Sequence, residues 1–169
     1  MDNFIEALEK AIESENWYGA LFIMLTLPDI CGKIDEPSSY SKPRYVNWFN
    51  KYLLQKYILN IEAQDLSRKE VLISGEGFYD LRCAYLHAGS DELNQEKIKQ
   101  IVEKVKFTIP HPNGGTGHRL RLNNVLQLQV DLLGKDIIEA IKHWMKDIRS
   151  DKVKLERLSN LATITTLNF

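Results

Sequence analysis

The run Ala20-Leu21-Phe22-Ile23-Met24-Leu25-Thr26-Leu27 constrains this chain more than any other feature. It is too short to span a bilayer, which takes about 20 apolar residues. It is also apolar nearly all round, and a helix of that kind must be enclosed by other elements. Asn16 is a good N-cap for it, and the spacing of Trp17, Ala20, Leu21, Met24 and Leu25 is helical. We therefore expect a central core helix that begins near Asn16 and ends near Pro28.

The rest of the chain supplies the enclosing layer. Residues 2–13 place Phe4, Ile5, Leu8, Ala11 and Ile12 on one face and acids on the other. Residues 132–149 repeat that pattern with Leu133, Ile137, Ile138, Ile141, Trp144, Met145 and Ile148. Cys31 to Lys42 is rich in Gly, Pro and Ser and reads as a loop, after which Pro43 opens a third helix. That helix carries Tyr45, Trp48, Phe49, Tyr52 and Tyr57; aromatics at helical spacing point to core ahead of a base-stacking platform. Residues 60–75 read as a polar connection with a short turn of helix near 68–73. A short helix or turn is expected over 91–102.

From Lys104 the period changes to two. Val105, Phe107 and Ile109 alternate with polar residues. Beyond the loop His111-Pro112-Asn113-Gly114-Gly115-Thr116-Gly117-His118, whose glycines suit a hairpin turn, Leu120, Leu122, Leu126, Leu128 and Val130 all occupy even positions. This suggests one long strand, or two arms turning at Asn123-Asn124. The expectation is a mainly α fold, a bundle of four to five helices with a β-hairpin inserted at about 103–130. Residues 1–150 form one domain, and 151–169 are an extension, flexible or docked on a partner. A length of 169 residues suits a single core.

Composition narrows the function classes. Cys31 and Cys83 make no disulfide framework and no Cys-x-x-Cys motif, and the N-terminus is acidic and amphipathic, unlike a signal peptide. A cytoplasmic protein without a membrane anchor is expected. The formal net charge is −1, but it is unevenly spread. Residues 1–30 hold six acids against Lys10, and residues 97–121 hold six bases against Glu103. Such a dipole can orient a charged partner. No Gly-x-Ser-x-Gly or His-Glu-x-x-His motif is present, and His111 and His118 lack a third ligand for zinc. Neither a metal nor a cofactor is expected.

The stretch Gly77-Phe78-Tyr79-Asp80-Leu81-Arg82-Cys83-Ala84-Tyr85-Leu86-His87-Ala88-Gly89-Ser90 carries the candidate chemistry. Phe78, Leu81, Tyr85 and Ala88 form a helical stripe, and Gly89 is a natural stop. Arg82 lies in a row that should pack, four residues from both Phe78 and Leu86. A guanidinium there must find an anion. His87 sits in the last turn, where the helix dipole favours its protonated form.

An arginine and a histidine separated by four residues on such a helix resemble the motif of the HEPN superfamily, small all-helical proteins that include metal-independent ribonucleases of toxin and defence systems. The resemblance spans roughly residues 16 to 150, with sharp motifs near 45–52 and 79–90. It implies a homodimer with a composite active site, in which Arg82 binds the scissile phosphate and His87 moves protons. Metal-independent cleavage needs a base, an acid and a cation, and two chains would supply them. Tyr79 and Asp80, one turn away, and Ser90 would support these groups. Arg119 and Arg121, beside the glycine-rich loop, are candidate contacts to a nucleic-acid backbone. An antitoxin or other protein partner is expected for a toxin of this type. In active members the residue after the arginine is usually polar; Cys83 stands there in this chain. That departure motivates the alternative, a non-catalytic HEPN-like module that binds nucleotide, RNA or a partner protein.

Overall fold

The computed structural model describes residues 1–63, 66–86, 100–101, 103–161 and 164. The chain is mainly helical, with two small sheets. The helices are α1 (Asp2–Glu13), α2 (Trp17–Asp35), α3 (Ser41–Tyr52), α4 (Gly75–Leu86), α5 (Val130–Ile148) and α6 (Lys152–Ser159). A 3-10 turn, Leu54–Tyr57, follows α3. The strands are β1 (Ile58–Ala63), β2 (Leu66–Val71), β3 (Val105–Thr108), β4 (Leu120–Leu122) and β5 (Val125–Gln129). Among the described residues, no helix is long and apolar enough to cross a membrane.

Helix α2 is the central element that its composition demands. Ala20, Leu21, Met24, Leu25, Leu27 and Cys31 are all buried, and α1, α3, α4 and α5 pack around it. The Asn16 side chain caps it, accepting from the Gly19 N–H at 3.0 Å. It does not end at Pro28. It runs on to Asp35, and Pro28 is a buried residue inside the helix. A proline removes the N–H that would serve the carbonyl four residues back and crowds the neighbouring carbonyls. Here the buried Tyr45 hydroxyl of α3 donates to the Leu25 carbonyl at 3.1 Å. Burial of Pro28, Cys31, Gly32 and Ile34 along one side holds the continuation in place. The loop expected from Cys31 is thus confined to 36–40, and α3 opens at Ser41, two residues before Pro43.

Helix α3 crosses α2 closely because Gly32 has no side chain. A Cβ there would lie 2.7 Å from the Arg44 carbonyl oxygen. The aromatic residues of α3 and the turn after it form core and no stacking surface: Tyr45, Trp48, Phe49 and Tyr57 are all buried. Phe49 meets Phe78 of α4 at 5.0 Å between ring centroids and Tyr57 at 5.9 Å. The amphipathic stripe of α5 is buried as its spacing predicts, with Leu133, Ile137, Ile141 and Trp144 fully enclosed.

Two regions depart from the sequence reading. Residues 58–71 are an antiparallel ribbon, β1 on β2, with Ile58 opposite Val71, where a polar connection was expected. The inserted sheet has three strands in the order β3-β5-β4. Strands β4 and β5 form the hairpin at Asn123-Asn124, where both residues have positive φ, 49° and 63°, as a type I′ turn requires. Strand β3 pairs parallel with β5, so the glycine-rich loop 111–118 is a connection between non-adjacent strands and not a hairpin turn. The extension begins with a helix, α6, capped by Asp151. The Lys154 ammonium lies 2.8 Å from Asp35, and Arg157 donates to the Ile34 carbonyl at 2.9 Å, so both hold α6 against the end of α2. Of the short helix or turn expected over 91–102, residues 91–99 and 102 lie outside the described residues and Gln100 and Ile101 are helical; residues 162–163 and 165–169 of the extension also lie outside them.

Candidate functional site

Arg82 lies on the packed side of α4, as its position in the stripe dictates, with 15% of its side chain exposed. It finds its anion inside the same chain. Its Nη2 donates to Asp29 Oδ2 at 2.9 Å, and Asp29 is equally enclosed at 15%. The Arg44 Nε donates to the other oxygen of Asp29 at 2.8 Å. The Ser41 hydroxyl reaches both oxygens, at 3.1 and 3.2 Å. One carboxylate of α2 therefore ties α3 and α4 together through two guanidiniums and a hydroxyl. Charge-assisted bonds of this kind are the strong ones. Two cations on one anion leave a net positive charge. The Nε of Arg82 is buried with no hydrogen-bond partner.

Local sequence explains the convergence. Asp29 follows Pro28 on the continued part of α2, and Gly32, three residues on, lets the Arg44 backbone approach. Tyr79, one turn before Arg82, lies beneath two cations. The Arg82 guanidinium carbon and the Lys42 ammonium are each 5.7 Å from its ring centroid. Burial and the neighbouring Cys83 push the Tyr79 hydroxyl above its ordinary pKa. Asp80 lies 3.7 Å from the Lys42 ammonium. Arg82, Tyr79 and Asp80 thus gather on one side of the α3–α4 contact. His87 and Ser90 lie outside the described residues.

Arg119 and Arg121 do not join this site. Arg119 donates to the Lys56 carbonyl at 3.1 Å. Arg121 donates to the Leu72 carbonyl at 3.0 Å and lies 3.3 Å from Glu70, which fixes β4 to the base of the β1–β2 ribbon. Both side chains brace the chain's own backbone.

A second cluster was not foreseen. Asp136 of α5 is 6% exposed. Its Oδ2 accepts from the Tyr57 hydroxyl at 3.1 Å and lies 3.0 Å from His118 Nε2; its Oδ1 is 3.1 Å from the Lys56 ammonium. Burial pushes the Asp136 carboxyl up, but hydrogen bonds from His118 and Lys56, with the charges of Lys56 and Arg119, outweigh it. The net effect holds the carboxyl below its usual value. The Nδ1 of His118 is buried and unpartnered. His118 is engaged by this acid, while His111 accepts a hydrogen bond from the Asn113 N–H at 3.1 Å, so the two histidines serve different partners. Among the described residues, no group of three or more His, Cys, Asp or Glu side chains could hold a metal.

Sequence reasoning named Arg82 and its need for an anion, but not Asp29, Arg44 or Asp136. Asp29 lay just past the expected end of the apolar helix at Pro28, so its enclosure had no signal in the sequence. No family model matches the chain, and no curated protein or solved structure does.

Proposed function

We propose that this chain is a non-catalytic HEPN-like module that binds an anionic partner, RNA or a nucleotide among them, without cleaving it. The observation that carries this reading is the Arg82–Asp29 pair. A phosphate approaching Arg82 must displace a carboxylate that already accepts from three side chains in a half-buried site. Breaking such a pair is costly. Cys83, next to Arg82, offers neither the donors nor the acceptor of an amide. The module would hold its ligand through the positive charge left on the cluster.

The test is incubation of purified protein with single-stranded RNA in the presence of a chelator, with the Arg82→Ala variant beside it. The expected result is intact RNA in both samples, with parent protein retarding the RNA on a native gel. RNA cut by the parent and spared by the variant would overturn the reading.

A second reading, the metal-independent endoribonuclease with a composite site at a homodimer interface, is favoured by two observations. Among the described residues Arg82 Nε donates to nothing, and two guanidiniums share one carboxylate. On that reading Asp29 is exchanged for the scissile phosphate when two chains meet, and the protein acts as a toxin or defence effector. Growth arrest on expression, relieved by Arg82→Ala or His87→Ala, would select it.

A further inference from the structure

On the side of Asp29 away from α4, the end of α2, the start of α3 and helix α6 enclose a groove of about 470 Å³. That is within the size range of small-molecule sites, ~300–1,000 Å³. Its walls are aliphatic: Ile30, Ile34, Pro37 and Leu161 line it, and among the described residues no aromatic ring does. Three cations stand around these walls, Lys33, Arg44 and Arg157. Lys33 donates to the Pro37 carbonyl at 2.5 Å, and Arg157 donates to the Ile34 carbonyl at 2.9 Å. Neither makes an ion pair among the described residues. Their acceptors are neutral, so their charge is uncompensated, and donors remain on both groups. Asp29 is the acid on the lining, but Arg82 neutralises it from behind and is not itself in the groove. The charge of Arg44 is therefore also presented to whatever enters.

Walls of this kind select against a nucleobase, which needs a ring to stack on. They suit a flexible hydrocarbon body, and the cations suit a carboxylate at its head. We propose that the groove binds an aliphatic carboxylic acid, its head held by Lys33, Arg44 and Arg157 and its chain laid on Ile30, Ile34 and Leu161. This site goes beyond the binding module proposed above: it needs no RNA, and Arg82 serves it only by neutralising Asp29 from outside the groove.

Calorimetric titration with octanoate tests the proposal, with 1-octanol as the same body without charge. Octanoate is expected to bind at one site per chain and octanol at least tenfold more weakly. Lys33→Gln changes an exposed side chain, and Arg157→Gln removes the guanidinium that caps the groove. Each should weaken octanoate about tenfold, the order expected for one charge-assisted hydrogen bond. The circular dichroism of both variants should match the parent. Three outcomes would overturn the proposal: no octanoate binding by the parent, octanol binding equally well, or full affinity in both variants. Binding that appears only after deletion of residues 162–169 would also overturn it, since the groove would then belong to the chain's own tail.

Discussion

Asp29 and Asp136 are built alike and do different things. Each is one carboxylate gathering three side chains, two nitrogen bases and one hydroxyl, from two other parts of the chain. Asp29 takes Arg44, Arg82 and Ser41. Asp136 takes Lys56, His118 and Tyr57. The Asp136 cluster is the deeper, and the one permanent cation in contact with its carboxylate, Lys56, is shared with Glu139, so it leaves no cation in excess. The Asp29 cluster holds two permanently charged guanidiniums, lies half-buried and opens onto a positively charged groove. A balanced cluster in the core fastens elements together. An over-charged cluster at the edge fastens them too, but leaves charge for a ligand.

The largest expected effect comes from breaking the deeper cluster. Asp136→Asn leaves Lys56 with Glu139 as its one carboxylate and leaves a single neutral amide oxygen where two charged oxygens served Tyr57, His118 and Lys56. A broken buried pair costs about 3–5 kcal/mol, and because Lys56 keeps Glu139 this variant should fall at the low end, about 3 kcal/mol, on urea unfolding. The pH dependence follows from the direction of the shift. The folded carboxyl lies below its unfolded value, so its contribution is fully present above the ordinary carboxylate pKa of about 3.9. It is lost as pH falls through the depressed folded value. The parent should therefore lose stability below about pH 4 more steeply than Asp136→Asn. Parallel acid limbs would show that Asp136 is not linked to folding.

Asp29→Ala comes next, at about 2 kcal/mol, because solvent near the groove can partly serve the two stranded guanidiniums. The comparison sharpens in a double-mutant cycle. Arg82→Met on the Asp29→Ala background should recover part of that loss, since it replaces a stranded, half-buried charge with an apolar chain of similar length. Arg44→Met should recover less, because Arg44 keeps its bond to the Ser39 carbonyl and its place at the groove. Equal recovery by both would mean that the two guanidiniums are equivalent, and the distinction between fastening and presenting charge would fail.

What the sequence could disclose followed the same division between local and long-range terms. Helices α1 and α5 were legible because period and burial agree over many residues. The continuation of α2 through Pro28 was not, because it depends on enclosure by helices distant in sequence. The ribbon 58–71 was hidden because that sequence holds no Asn-Gly or Asp-Gly pair and no glycine or proline to mark a hairpin. The even-numbered leucines from 120 to 128 misled in a particular way. A two-residue turn at Asn123-Asn124 sets Leu122 opposite Val125 and Arg121 opposite Leu126. Cross-strand partners share a face, so even positions before the turn and even positions after it point oppositely. Leu126 and Leu128 are buried, and Leu120 and Leu122 are exposed. At the candidate site, sequence could show that Arg82 must meet an anion. It could not show which acid, since Asp29 is 53 residues away and reaches Arg82 only through the packing of α2 on α4.

The smallest effects test the two clusters at equal chemistry, by removing the hydroxyl from each. Tyr57→Phe takes away a buried donor to Asp136 where water has no access, with Phe49 and His118 packed on the ring. Ser41→Ala takes away the donor to Asp29 beside the groove, where water can enter and two guanidiniums remain. A net hydrogen bond contributes about 1 kcal/mol, more where an ionised partner is left short of donors in the interior. Tyr57→Phe should cost about 1.5 kcal/mol and Ser41→Ala about 0.5 kcal/mol or less. Thermal unfolding of the two variants side by side measures the difference directly. If Ser41→Ala costs as much as Tyr57→Phe, the Asp29 carboxylate is as closed to solvent as Asp136, and charge at the groove would not be available to a ligand.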